Sequence, residues 1–116
     1  MTVAASGMID FVAHDPGRDE ALLVMVEERP WGSSGHLLGE LQAKLNVYLD
    51  YIVSGQLERA YPQLTAKRVN VQLRAVDPPG PRELEFLAIV ARTQFLARDV
   101  RLTWQTIGQG TEHEVS

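Results

Sequence analysis

Three groups of side chains along the chain are of types that could do chemistry. The first is His14-Asp15, an imidazole that titrates near neutrality beside a carboxylate able to orient it, which are the parts of a general acid–base pair. Asp15 leads into Pro16-Gly17, however, where an aspartate serves by hydrogen-bonding its own turn, and neighbouring strand residues point to opposite faces. A turn role is therefore the expectation. The second group follows Glu27-Glu28 and comprises Arg29, Trp31, Ser33, Ser34 and His36, at a point where a strand ends and a helix begins. Free amides at a helix start can hold an anion, so Arg29, Trp31, Ser34 and His36 form the candidate ligand-binding set. Trp31 is equally suited to plugging the end of a core, and the serines to capping the helix. The third group is Arg68, Arg74 and Arg101, which could line up on adjacent strands as a basic stripe.

Other chemistries are excluded more simply. There is no cysteine, which removes disulfides, thiolate metal sites and a cysteine nucleophile together. The three histidines, His14, His36 and His113, have no ligand-like spacing, so no metal is expected. No glycine-rich phosphate loop, dinucleotide fingerprint or Gly-x-Ser-x-Gly elbow is present, and no cofactor or familiar catalytic activity is expected. A formal net charge of −4 argues against nucleic acid as a partner, and the expected faces carry few aromatic residues for stacking bases. No stretch approaches the roughly 20 apolar residues of a membrane helix. Met1 to Gly7 lack the features of an export signal, so a cytoplasmic protein without membrane partners is expected.

The elements that must position these groups are legible from pattern. With 116 residues, one domain is expected over 8–107, with flexible termini at 1–7 and 108–116. Met8 to Ala13 and Ala21 to Val26 are apolar runs separated by Asp15-Pro16-Gly17, which predicts a β-hairpin. Leu37, Leu38, Leu41, Leu45, Tyr48, Leu49 and Ile52 recur at helical spacing, and Gly55 supplies a stop. Val69, Val71, Leu73 and Ala75 alternate with polar residues as in a half-buried strand. Pro81 opens a second helix with a stripe of Leu84, Leu87, Val90, Ala91 and Phe95, and Val100, Leu102 and Trp104 alternate in a last strand. The order ββαβαβ predicts a two-layer α/β (α+β) sandwich, with a four-stranded mixed sheet and two helices on one face.

If Ile9, Phe11, Leu22 and Val24 face the helices, then Val12, Leu23 and Met25 form an apolar strip on the open face, a candidate interface. Large exposed apolar patches are rare on monomers, so a homodimer is the expected cover.

The segments Ile9-Asp10-Phe11-Val12-Ala13-His14-Asp15, Leu22 to Trp31 with its ending Glu28-Arg29-Pro30-Trp31, and Leu41-Gln42 through Tyr48-Leu49 resemble a family of small bacterial proteins of unknown function. The resemblance runs from about Met8 to Trp104 and implies a shared fold without supplying an activity or a catalytic residue. The functional expectation is a homodimeric protein-interaction or adaptor module rather than an enzyme. The alternative is a binder of, or enzyme acting on, a small anionic ligand at the junction of the second strand and first helix.

Overall fold

A computed structural model describes residues 9–31 and 36–115. The Asp15-to-Asp19 turn joins β1 (Phe11–Asp15) to β2 (Glu20–Glu27), and α1 (Leu37–Val53) and α2 (Gln56–Ala60) carry the chain across to β3 (Arg68–Ala75). α3 (Pro81–Val90) then leads to β4 (Val100–Thr106), and β5 (His113–Glu114) ends the sheet. Pro81 begins α3 where its missing N–H costs nothing, and the Glu83 carboxylate accepts the Gly80 N–H.

The sheet is mixed and its strands lie in sequence order, β1-β2-β3-β4-β5. β2, β3 and β4 are mutually parallel, while β1 and β5 run antiparallel at the two edges. Both crossovers step the same way across the sheet, so right-handed connections set α1 and α3 on one face. One core forms there, from Leu37, Leu41, Leu45 and Tyr48 of α1 and Leu87 and Val90 of α3, against Val71, Leu73 and Leu102 of the strands.

Two expectations are corrected. The sheet has five strands, not four: residues after 107 turn back and pair with β4, Thr103 opposite Glu114 and Trp104 opposite His113. The hairpin is also one residue out of phase with the sequence reading. Leu23 and Met25 are fully buried in the core and Val12 packs against it, whereas Phe11 is 53% exposed. The expected outward strip of Val12, Leu23 and Met25 therefore points at the helices. The cause is that β2 is apolar on both faces, as interior parallel strands are, and cannot announce its phase. Register with β3 fixes it, with Leu23 opposite Val71 and Met25 opposite Leu73.

A polar clamp joins α1 to the hairpin inside this core. Lys44 lies on the apolar stripe of α1, fully buried, and its ammonium is 2.7 Å from both carboxylate oxygens of Asp10. Asp10 also accepts the Val26 N–H at 3.0 Å. One turn on, the Tyr48 hydroxyl donates to the Val24 carbonyl at 2.7 Å and accepts the Asp10 N–H at 2.9 Å. Burial pushes the Tyr48 hydroxyl well above its ordinary value near 10, with the Asp10 carboxylate adding to the effect and the Asp10 amide opposing it.

A raised folded-state value means that this group's contribution is whole below pH 10 and is lost as pH rises beyond, since only the unfolded chain then ionises. Thermal unfolding should therefore shift to lower temperature above pH 10. Tyr48→Phe should be less stable at neutral pH by about 1–3 kcal/mol, because two backbone groups lose their partner, yet show a shallower alkaline decline. An unchanged alkaline slope in melts from pH 8 to 11 would remove Tyr48 as its source.

Candidate functional site

The parallel strands end together at Glu27, Ala75 and Thr106, where the loops into α1 and α3 emerge. In open α/β sheets ligands commonly bind at this end, in a crevice where the strand order reverses. Here the order never reverses among β2, β3 and β4, so the topology opens no such crevice. The loops are instead tied together: the Trp31 indole N–H donates to the Asp77 carbonyl at 2.9 Å, and the ring packs against the core.

Arg29 is similarly engaged within the chain. Its guanidinium meets Glu27 at 2.7 Å and Glu40 at 2.7 Å, and the Glu27 carboxylate is fully buried. Hydrogen bonds to Glu27 and then Glu40 raise the guanidinium above its ordinary range, holding it charged. His36 is the exposed residue preceding α1, and its carbonyl accepts the Glu40 N–H at 2.9 Å. Ser34 and Ser33 lie outside the described residues. The structure thus places Arg29 and Trp31 near the expected junction, but commits both to internal contacts.

The His14-Asp15 pair divides. Asp15 accepts the Gly17 N–H at 3.0 Å as a turn residue, while the His14 ring lies 2.8 Å from Asp19. The exposed Asp19 carboxyl is held below its usual range by hydrogen bonds from Lys67 and His14. Among the described residues no cluster of three or more metal-ligating side chains occurs.

The expected basic stripe is dismantled by pairing. Arg74 donates to Gln72 at 2.7 Å, and Arg68 faces Asp99 at 3.4 Å on the surface. Arg101 is buried and bonded to Glu20 of β2 and to Glu112 and Glu114 of the returning chain. Burial works against its charge, but hydrogen bonds to Glu114 and Glu112 outweigh that and raise it. Glu112 also accepts from Asn70 at 3.0 Å and Gln72 at 2.5 Å, and Thr103 donates to Asn70 at 2.8 Å.

Beside this network lies a cleft of about 290 Å³ between the end of α3 and the outer edge of β4. Its apolar walls are Ala91, Leu96, Val100, Leu102 and Val115, and its charged lining is Arg68, Arg92, Arg101 and Glu114. It exists because α3 does not continue as a regular helix. Ala91–Phe95 widens into a π-helical turn, Leu96–Arg98 tightens to 3-10, and Asp99 ends the run at φ 55°. Such π turns inside helices are frequent at functional sites. Leu96 is left 70% exposed at the rim, and Arg92 has no carboxylate partner among the described residues. The sequence does not announce this cleft, because its apolar stripe runs through Phe95 as an ordinary helix would. The available signal was Leu96-Ala97-Arg98-Asp99, an apolar residue stranded beyond the last buried position.

No helix of the described residues is long and apolar enough to cross a membrane. Residues 1–108 match a family of unknown function, DUF6572. No curated protein and no solved structure matches the chain.

Arg29→Met should lower stability by about 1–3 kcal/mol, because it removes the guanidinium hydrogen bonds to the buried Glu27 carboxylate. Urea unfolding checks this. A variant as stable as the parent would return Arg29 to the candidates for ligand contact.

Proposed function

The chain belongs to the DUF6572 family, and from that premise we propose that it is a binding module whose ligand seat is the cleft between α3 and β4. The observation that carries this reading is the combination of an apolar floor with Arg92, a cation left without a carboxylate partner among the described residues. A pocket of about this size, mostly apolar with a few polar groups, suits a small ligand. An apolar body would displace water chiefly from Leu96, against a wall completed by Ala91, Val100 and Leu102, and a carboxylate would pair with Arg92. An amphipathic carboxylate is therefore the ligand class. The junction site built on Arg29, Trp31, Ser34 and His36 is the weaker seat, because Arg29 is already neutralised by Glu27 and Glu40.

A second reading keeps the homodimer but moves its interface. β1 is an edge strand of five residues without lysine or proline, and Phe11 stands exposed upon it. Among the described residues nothing pairs with the outer side of β1, open edges invite pairing with another chain, and an antiparallel β1-to-β1 contact would join two sheets under a two-fold axis. Such a dimer in solution would become a monomer with Phe11→Glu, as light scattering after size exclusion would report.

Octanoate is a suitable probe for the cleft. At tenfold above its Kd it should stabilise the protein by about 1.4 kcal/mol, raising Tm by roughly 5 °C, while 1-octanol should do less. Arg92→Glu, an exposed change, should leave the unliganded Tm unaltered and abolish the octanoate shift. An equal shift in parent and variant would show that the cleft is not the seat.

A further inference from the structure

We propose that the outer edge of β4, together with the polar sheet face beside it, is a docking slot for an extended acidic segment of a partner protein. The chain's own residues Glu112 to Val115 fill this slot in cis. The inference shares Arg101, Glu114 and Val115 with the lining of the cleft, but it rests on the hydrogen bonds that hold residues 112–115 and stands without a ligand there.

The slot is built from side chains that are each more than nine-tenths buried. Asn70 and Gln72 of β3 offer amide donors and Arg101 of β4 a guanidinium, on one face of the sheet. The returning segment meets them as a bound peptide would. Glu112 takes the Asn70, Gln72 and Arg101 donors, and Glu114, two residues on and on the same face, takes Arg101. His113, on the opposite face, stacks on Trp104 with ring centroids 4.2 Å apart. The Val115 N–H bonds to the Leu102 carbonyl at 3.0 Å, while its side chain lines the cleft. Carboxylates at positions one and three, a flat ring at two and an apolar group at four thus define the chemistry the slot accepts. Main-chain pairing at the edge supplies affinity and the alternate side-chain sites supply selectivity, as in strand addition generally.

The resident segment is held by its side chains more than by its backbone. Its ladder is two residues long, and Glu114 is largely exposed. The connection from β4 contains Gly108 at φ 87° and Gly110 at φ 73°, both in open space, where glycine leaves the backbone free to swing. Once the segment leaves, Arg101 retains Glu20, and Asn70 retains Thr103, so the emptied slot keeps its shape.

The test uses the full chain carrying Glu112→Gln and Glu114→Gln, with a fluorescein-labelled peptide of the native 108–116 sequence. The altered protein should unfold cooperatively, exchange its Val115 amide hydrogen faster than the parent, and bind the peptide at least tenfold more tightly than the parent. A peptide with glutamine at both positions should bind at least tenfold more weakly than the native peptide. Unchanged Val115 exchange would show that the carboxylates do not hold the segment, overturning the proposal. Rapid exchange in a folded variant that binds neither peptide, or binds both equally, would overturn it as well.

Discussion

A fully buried ammonium must be answered by a charge, and the Lys44–Asp10 pair answers it at the seam between helix and sheet. Taking Lys44 out of water is costly enough that few arrangements of α1 can tolerate it. The one adopted puts both Asp10 oxygens on the ammonium and uses the same carboxylate to bond the Val26 amide. That single geometry locks the start of β1 to the end of β2 and seats α1 above them. Tyr48 repeats the lock one turn away, and together they fix the phase of the hairpin.

The rest of the molecule follows from that phase. With Leu23 and Met25 turned toward the helices, the other sheet face receives Glu20, Asn70, Gln72, Arg101 and Thr103. Polar groups so closely set must satisfy one another or remain hydrated, and among the described residues no buried side-chain nitrogen or oxygen lacks a hydrogen-bond partner. The returning strand completes that accounting by bringing two more carboxylates to Arg101. The ordering of residues 112–115 is thus tied, through the sheet, to a helix on the opposite side.

The two proposed binding surfaces arise where regular structure stops early. At the end of α3 the π turn leaves Leu96 largely exposed and sets Arg92 beside an apolar floor. At β4 the last strand pairs only two residues, so part of the edge is held by side-chain charges more than by a ladder. Both features weaken the packing that an uninterrupted helix or a full-length strand would have given. Local conflicts of this kind are where function is most often found in an otherwise consistent fold.

The sequence by itself determined the elements and their order, because the strongest signals are local. Leu37 to Ile52 repeat at helical spacing, Val69 to Ala75 alternate, Pro81 starts a helix, and Asp15-Pro16-Gly17 can only turn. It also determined that Asp15 belongs to its turn. The hint that Lys44 is buried was present as well, three residues after Leu41 and four before Tyr48 on the apolar stripe, though a lysine there is ordinarily solvated. Tertiary structure alone decided the phase of β2, since a strand apolar on both faces carries no period-two signal and only its tertiary partners, β3 beside it and the Lys44–Asp10–Tyr48 clamp, break the tie. It decided the role of Glu112 and Glu114, whose partners lie on strands up to 42 positions earlier, Asn70 being the farthest from Glu112. It decided, too, that Arg29 and Arg101 would be neutralised. Charge along a chain gives a sum, whereas the free energy of an ion pair depends on distance and burial, and those exist only once the chain has folded.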